Sequence, residues 1–220
     1  MILSRRHKFI FIHIPKAAGQ SVANALMPFA AGPVQRMLSP LLPYRQQLKI
    51  HTKLHERTGL RTVAQPFKDH VRIDEVVDKL GQEIFDDLFS FTFVRNPWDR
   101  LFSTYSYTLS NPRHWNHSFA KSLGDFSAFA EWHCGRGNIP FQSEFVFNRS
   151  GQKLVKYVGR FETIEDSFQE ICEQVGIECQ LPRFNTSRNT HSYREAFTPQ
   201  TRDLVHRTYA KDIEAFGYVF

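Results

Sequence analysis

Residues 8–22 read KFIFIHIPKAAGQSV and predict a buried strand, a tight turn and a helix in direct succession. Five of the six residues from Phe9 to Ile14 are large and apolar, which is typical of a strand covered on both faces. Pro15 ends the strand because it has no N–H to donate to a neighbouring strand. The turn then lies at a helix N-terminus, where Lys16, backbone N–H groups and the Ser21 hydroxyl favour a bound anion. We therefore interpret this segment as a phosphate or sulfate site.

The order of residues in this turn differs from the common nucleotide-binding signatures. A Walker A loop has its lysine directly after the last glycine, whereas Lys16 precedes Gly19. The segment also contains no G-x-G-x-x-G pattern. An ordinary strand-to-helix turn with a solvated lysine is therefore the alternative interpretation.

Size and charge limit the classes of protein and partner. The 220 residues fit one α/β domain, and we predict a single domain over residues 1–220. The net charge of +6 favours an anionic partner such as a nucleotide, a nucleic acid or an acidic polysaccharide. Because the basic residues form no long block of like charge, we do not expect a nucleic-acid-binding tail.

The apolar runs of this sequence are too short for a transmembrane helix. Arg5, Arg6 and Lys8 precede an apolar run as they would in a signal peptide, but Lys16 interrupts that run before a typical cleavage site. We therefore expect a cytoplasmic protein, membrane-anchored only if an anchor has been removed from this sequence.

The cysteine and histidine patterns predict neither a metal site nor a disulfide framework. Cys134, Cys172 and Cys179 form no CxxC pair, and an odd number of cysteines in a cytoplasmic protein predicts reduced, inert thiols. The ten histidines show no HExxH or comparable spacing. We expect no bound metal.

A second strand–turn–helix segment begins at Phe89. Phenylalanines alternate with polar residues from Phe89 to Val94, which is a strand pattern, and Arg95 stands at the carboxyl end of this strand. Asn96 is a good helix cap and Pro97 suits the first helical position. Ser103 follows about two turns into the helix, so Arg95 and Ser103 make a second candidate anion site.

The two segments predict one binding crevice if their strands are neighbours. In open parallel sheets, ligands bind outside the carboxyl ends of the strands, where both the Lys16 turn and Arg95 are expected. The alternative for Arg95 is a structural ion pair with Asp99, one turn along the helix.

The rest of the sequence predicts further elements around this sheet. Helical periodicity covers residues 71–88, residues 164–175 and a last helix from Thr198, while residues 154–158 are typical of a third strand. Residues 111–150 are rich in aromatic and polar side chains, and we interpret them as an insert that shapes an acceptor cleft. Simple aromatic packing over the sheet is the alternative.

At this point the chain resembles the PAPS-dependent sulfotransferases, most closely the carbohydrate branch with the heparan 2-O- and chondroitin/dermatan enzymes and their bacterial relatives. The resemblance rests on two motifs, Pro-Lys-x-x-Gly-x-Ser at Pro15 and Val-Arg-Asn-Pro-x-x-Arg-x-x-Ser at Val94, together with YVGRFE at residues 157–162 and the segment Tyr209–Tyr218. It spans nearly the whole chain, and the second motif is the most specific. It implies an α/β fold with a three-layer parallel sheet flanked by helices, P-loop-like in type.

The resemblance also implies how the donor, 3′-phosphoadenosine 5′-phosphosulfate (PAPS), is bound. Lys16 would contact the bridging oxygen of the phosphosulfate, and Arg95 and Ser103 would bind the 3′-phosphate. Arginine suits a dianionic phosphate because its fork of donors matches the oxygens. Arg188 and Tyr193 would close over the nucleotide. The residues assigned to the donor are Lys16, Ala18, Gly19, Gln20, Ser21, Val22, Arg95, Ser103, Arg188 and Tyr193.

The implied reaction moves a sulfuryl group in line onto an acceptor hydroxyl. A histidine base would take the hydroxyl proton, and Lys16 would stabilise the leaving group as a second catalytic residue. His51 is the predicted base because Glu56 follows it at the spacing seen in relatives, although His55 or His13 also fits and a surface histidine is the alternative. The residues predicted to bind the acceptor are Arg113, His114, Trp132 and Gln142.

The acceptor class stays open, and so do three competing functions, of which one is a sulfotransferase fold that binds the donor but has lost turnover. By resemblance, a sugar hydroxyl is favoured over a lipid, a small metabolite or a tyrosine, and no nucleic-acid partner is expected. A P-loop-type nucleotide kinase is one competitor, opposed by the missing Walker A loop. A non-catalytic binder of nucleic acid or acidic glycan is the third, supported by the net charge.

Overall fold

The structure is a computed structural model, and its described residues form two compact units that we treat separately. The described residues are 1–30, 70–136, 140–182 and 192–220. The sheet unit contains those within Met1–Phe93 and Phe145–Phe184, and the helical unit contains those within Val94–Glu144 and Asn185–Phe220. The single domain expected over residues 1–220 stays a prediction.

A four-stranded sheet in the order β1-β2-β3-β4 organises the sheet unit. The strands are β1 (Ile2–Ser4), β2 (Phe9–Ile12), β3 (Phe89–Val94) and β4 (Tyr157–Arg160). The two strands at its centre, β2 and β3, run parallel, with Phe9 opposite Phe89 and Ile12 opposite Thr92. The short strand β1 pairs antiparallel with β2, so the roughly parallel sheet that the resemblance implied has one antiparallel edge strand and is mixed.

Both central strands are buried, although only β2 is apolar on both faces and β3 places Ser90 and Thr92 on one of its faces. All four residues of β2 are buried, as the run of large apolar residues predicts. The buried Thr92 hydroxyl is satisfied by donating to the Ile12 carbonyl at 2.7 Å. Because β2 and β3 are parallel, both strands end at the same edge of the sheet.

Helices surround the sheet and fill the helical unit. Those of the described residues are α1 (Gly19–Ala30), α2 (Ile73–Leu80), α3 (Gln82–Asp87), α4 (Pro97–Ser110), α5 (His117–Ser122), α6 (Phe126–Arg136), α7 (Ile164–Val175), α8 (Pro199–Thr208) and α9 (Ala210–Phe216). The single helix expected over residues 71–88 is two helices, because Gly81 adopts a φ of 85° between α2 and α3. Gly176 ends α7 in the left-handed conformation, as predicted.

Each unit has its own apolar core. In the sheet unit, Phe11 and Phe91 of the central strands pack with Val22 and Leu26 of α1 and with Phe168 of α7. The core of the helical unit joins α4, α6, α8 and α9 through Trp98, Leu101, Phe129, Val205 and Ile213. The predicted α/β class, a sheet flanked by helices, is confirmed.

Within the part of the chain that the structure describes, no helix has the length and apolar character needed to cross a bilayer.

Candidate functional site

The turn after β2 has an unusual backbone that opens toward the start of α1. Lys16 and Ala18 have φ values of 66° and 56°, a left-handed conformation that non-glycine residues rarely adopt. The Ala18 carbonyl accepts the N–H groups of Ser21 at 3.0 Å and Val22 at 3.2 Å, which starts the helix. Successive N–H groups in such a turn form a concave donor surface that suits an anion.

Gly19 is required where it stands because the His13 ring packs against it. A Cβ at Gly19 would collide with the His13 imidazole. This ring also meets the His70 ring edge-on, with 4.5 Å between centroids, and His70 Nδ1 lies 3.1 Å from the His13 carbonyl oxygen. The His13 ring thus packs directly against the first residue of α1.

The residues predicted to bind the phosphosulfate have different surroundings in this turn. Lys16, Gln20 and Ser21 are partly exposed. Val22 is fully buried in the sheet-unit core and its N–H donates to the Ala18 carbonyl, and its role in donor binding stays a prediction. The polar groups of this turn therefore belong to residues at or before the start of α1, where the regular helical hydrogen bonds have not yet begun.

The second predicted site starts the helical unit, and its helix begins as the sequence indicates. Asn96 caps α4 by accepting the Trp98 N–H at 3.1 Å, and Pro97 is the first helical residue. The Asn96 amide also donates to the Val219 carbonyl at 2.8 Å, which ties the cap to the C-terminal segment. Arg95 therefore directly precedes a firmly held helix start, and the partly buried Ser103 lies about two turns further along α4.

Arg95 forms a two-point ion pair with Asp99, one turn along α4. Its Nε lies 2.8 Å from Asp99 Oδ2 and its Nη2 lies 2.9 Å from Oδ1. The two side chains are only 12% and 18% exposed. The sequence-based alternative of a structural pair is thus present, and it engages two of the five N–H donors of the guanidinium.

Gln142 holds the backbone of Arg95 on both sides. Its Oε1 accepts the Arg95 N–H at 2.9 Å, and its Nε2 donates to the Arg95 carbonyl at 2.8 Å. The Gln142 side chain is fully buried. This placement differs from the acceptor contact expected from the sequence, because both polar atoms of the amide are engaged by the backbone of Arg95.

Gln142 is in turn fixed by a buried carboxylate. Asp212, 0% exposed, accepts the Gln142 N–H at 2.7 Å and the Ser143 N–H at 2.9 Å. Arg100 Nη1 lies 3.9 Å from the same carboxylate, and its Nη2 donates to the Pro140 carbonyl at 2.9 Å. Burial lowers the pKa of Arg100 to about 10, and Asp212 opposes this shift.

Other polar groups surround this buried pair. Burial, and secondarily the charge of Arg100, lowers the pKa of His133 to about 4. Burial raises the pKa of Tyr209. Neither the His133 ring nitrogens nor the Tyr209 hydroxyl has a hydrogen-bond partner within the described residues. The centre of the helical unit is therefore more polar than its amphipathic helices indicate.

The remaining residues expected to contact an acceptor lie in two aromatic groups. Arg113 is exposed, and His114 stacks at 5.8 Å on Trp115, which is 82% exposed. Trp132 contacts Phe119 at 5.0 Å between ring centroids. The contacts described for these residues do not join Arg113, His114 and Trp132 into one cluster with the buried Gln142.

Two of the predicted nucleotide or catalytic residues, His51 and Arg188, lie outside the described residues. Tyr193 is described, and its ring packs edge-on against Phe197 and Phe220, with centroids 6.4 and 5.9 Å apart. Arg194 lies over the Tyr193 ring at 4.8 Å. Tyr193 is therefore part of an aromatic cluster at the C-terminus.

A pocket of about 690 Å³ lies beside α7 in the sheet unit, away from the predicted site residues. It is lined by Phe168, Cys172 and Cys179 among others, and the two sulfur atoms are 3.7 Å apart. All three cysteines are free thiols. Among the residues that the structure describes, no group of three or more His, Cys, Asp or Glu side chains is arranged to hold a metal ion.

Sequence reasoning did not find the buried support of Arg95. Gln142 and Asp212 lie 47 and 117 positions after Arg95, and no local pattern links residues at such separations. Arg100 gave a weak signal, because it is the second arginine of the Val-Arg-Asn-Pro-x-x-Arg-x-x-Ser motif and lies within a helix. Its complete burial is a property of the packed unit.

Comparisons with known proteins give one match along the full length. The sequence model of the sulfotransferase family matches residues 1–219. An uncharacterized protein of Archaeoglobus fulgidus is 25% identical over 119 residues, which cover 54% of this chain and 92% of that protein. No solved structure matches the chain. The family match includes both strand–turn–helix segments.

Proposed function

The chain belongs to the sulfotransferase family, and we propose that it moves a sulfuryl group from PAPS to a hydroxyl of a carbohydrate acceptor. The observation that carries this proposal is the family match over residues 1–219. We further propose that the enzyme is of the bacterial carbohydrate type, with a P-loop-like site, and that it acts in the cytoplasm.

The first turn suits the phosphosulfate end of the donor. Its left-handed residues and the start of α1 provide a concave row of N–H groups, and Lys16 adds a full positive charge. Gly19 and Gln20 contribute backbone donors, and the Gln20 amide and Ser21 hydroxyl contribute side-chain donors, while Ala18 shapes the turn. The close approach of His13 to Gly19 supports a fixed shape for this surface.

The second segment suits the 3′-phosphate. The Asn96 cap and the pairing of Gln142 with the Arg95 backbone hold Arg95 at a helix start, where a phosphate is favoured. Ser103 adds a hydroxyl donor two turns along. Asp99 engages one edge of the guanidinium, so the phosphate would be bound beside Asp99 or in exchange with it. Arg188 and Tyr193 complete the proposed nucleotide contacts.

PAPS supplies an activated sulfuryl group whose leaving group is a phosphate. Lys16 and the N-terminus of α1 stabilise the charge that develops on that phosphate. His51 accepts the proton of the acceptor hydroxyl, with His13 as the alternative base because it lies directly beneath the turn. Holding donor and acceptor in line supplies much of the remaining rate enhancement.

The acceptor is expected to be an anionic or neutral sugar. The net charge of +6 favours acidic glycans. Arg113 and His114 offer polar contacts, and Trp132 offers an aromatic one. Gln142 takes part through Arg95, because its buried amide pairs with the Arg95 backbone.

The test is a thermal-shift comparison of 3′,5′-adenosine bisphosphate with 5′-AMP and ADP in the absence of magnesium. A ligand at about 100 times its dissociation constant stabilises the folded state by about 2.7 kcal/mol, which a melting curve resolves. We expect only the bisphosphate to raise the melting temperature. An equal shift with ADP, or no shift at all, would overturn the assignment of Arg95 and Ser103. In that event, magnesium-ATP and nucleic acid are the next ligands to measure.

A further inference from the structure

Arg95 is held by a chain of buried interactions that begins far away in the sequence. Gln142 brackets its backbone with two hydrogen bonds of 2.9 and 2.8 Å. A primary amide presents an oxygen acceptor and an N–H donor side by side, so it can pair with the N–H and the carbonyl of one extended residue. Gln142 therefore acts on Arg95 as a neighbouring strand would, one residue beyond the end of β3.

The support of Gln142 is itself built from buried groups. Asp212 uses one carboxylate oxygen for the Gln142 N–H and the other for the Ser143 N–H, at 2.7 and 2.9 Å. Both oxygens thereby fix two consecutive peptide groups of one turn. Because a carboxylate accepting N–H donors makes strong hydrogen bonds, this turn has little freedom to shift.

Arg100 closes the chain of contacts. Its charge offsets that of the buried Asp212, and its Nη2 binds the Pro140 carbonyl two residues before Gln142. The turn at Pro140–Ser143 is thus held at its carbonyl by Arg100 and at its N–H groups by Asp212. All these residues belong to the helical unit.

We propose that Gln142, fixed by Asp212 and Arg100, is a positioning residue that orients Arg95 for recognition of the 3′-phosphate. The inference rests on the proposed function. A guanidinium fork must meet phosphate oxygens in one orientation, and that orientation follows from the direction in which the Arg95 backbone projects its side chain. Asp99 fixes the far end of the same side chain. Gln142 and Asp99 therefore hold Arg95 at its two ends.

If the contacts of Gln142 served stability alone, replacing it would change the affinity for every nucleotide equally. The test therefore compares the affinities for two nucleotides. We would measure the affinities of 3′,5′-adenosine bisphosphate and 5′-AMP by calorimetry in the wild type and in Gln142→Leu, which removes both polar atoms at similar volume. We expect the preference for the bisphosphate to fall at least about tenfold, with 5′-AMP affinity within about twofold of the wild type. In turnover assays, KM for PAPS should rise while kcat at saturating PAPS changes little.

Two further variants keep the result interpretable. Gln142→Met removes the same polar atoms on an unbranched side chain of similar length, so it should show the same loss as Gln142→Leu and provides the reading if the leucine variant does not fold. Val205→Ala removes buried apolar volume from the same unit, so it should lower the melting temperature and keep the preference for the bisphosphate.

The outcomes separate the inference from the proposed function. If the wild type prefers the bisphosphate and the folded Gln142 variants keep that preference, Gln142 is only a structural brace and the inference is overturned. If Val205→Ala loses the preference as the Gln142 variants do, general destabilisation explains the effect, and the inference again fails. A wild type that does not distinguish the two nucleotides overturns the proposed function itself.

Discussion

Arg95 and Asp99 are joined by two short contacts, 2.8 Å from Nε and 2.9 Å from Nη2, which link the residue before the Asn96 cap to the first turn of α4. This pair aligns the guanidinium, and it also holds a negative charge beside the proposed phosphate site. The two effects can be separated, because an asparagine keeps one acceptor for the guanidinium and removes the charge.

We expect Asp99→Asn to strengthen the binding of 3′,5′-adenosine bisphosphate by about fivefold, because like-charge repulsion of about 1 kcal/mol is removed. The affinity of 5′-AMP should not change. Calorimetry at fixed ionic strength measures both. Asp203→Asn is the matched control, since it removes an exposed carboxylate elsewhere in the helical unit. Weaker bisphosphate binding in Asp99→Asn would show that alignment by Asp99 outweighs its charge.

Lys16 has a strained backbone conformation and carries a proposed catalytic charge. Replacing it by glycine removes the charge and relieves the strain, so the two contributions can be measured separately. Glycine adopts a φ of 66° without steric cost, so Lys16→Gly should change the free energy of unfolding by less than about 1 kcal/mol. Turnover should fall by at least about 100-fold, because the charge on the leaving group loses its stabilising partner.

Lys8→Gly is the control for Lys16→Gly. Lys8 has a φ of 49° and pairs with Asp87 at the surface, where ion pairs contribute little. Urea unfolding and steady-state turnover should show similar stability for the two variants and a loss of activity in Lys16→Gly alone. Equal activity in both would remove Lys16 from the mechanism.

The first turn and the two parallel strands could be predicted because their signals are local. Proline at the end of β2, the alternating phenylalanines of β3 and the Asn96-Pro97 helix start each act within a few residues. The strand β1 was missed because three residues are too few for a periodic pattern. Gly81 was missed as a helix break because the apolar periodicity continues on both sides of it.

The support of Arg95 could not be predicted because it depends on burial between distant segments. A glutamine in a polar, aromatic insert is predicted to lie at the surface. Its complete burial depends on the fold, which places the Asp212 carboxylate against its backbone N–H. The same is true of His133, whose sequence context on α6 does not reveal its charged neighbour Arg100.

Gly19 is the position where a single methyl group should have the largest effect on the first turn. Its Cβ would collide with the His13 ring, so Gly19→Ala must displace that ring or the start of α1. We expect a loss of about 1–3 kcal/mol in the free energy of unfolding, measured by urea denaturation. Nucleotide binding should weaken as well, because the turn changes shape.

Gly135→Ala is the matched control for Gly19→Ala. Gly135 also lies in a helix, but beyond its chain neighbours and its own helix backbone a Cβ there meets no atom of the described residues within 4 Å. Alanine should stabilise α6 by about 0.5–1 kcal/mol, since it loses less conformational freedom on folding. Equal stability of the two alanine variants would contradict the close packing of His13 on Gly19.

His133 should make the protein less stable in mild acid. Burial first, and the charge of Arg100 second, lower its pKa from 6.5 to about 4 in the folded chain. The unfolded chain therefore binds a proton near pH 6.5 while the folded chain does not, so stability is lost as the pH falls through this window. Two-state linkage gives a loss of about 2 kcal/mol between pH 7 and pH 5. Urea denaturation at these two pH values measures it, and His133→Phe, which cannot take up a proton, should lose correspondingly less. The same pH dependence in both proteins would mean that His133 is protonated as readily in the folded chain as in the unfolded one.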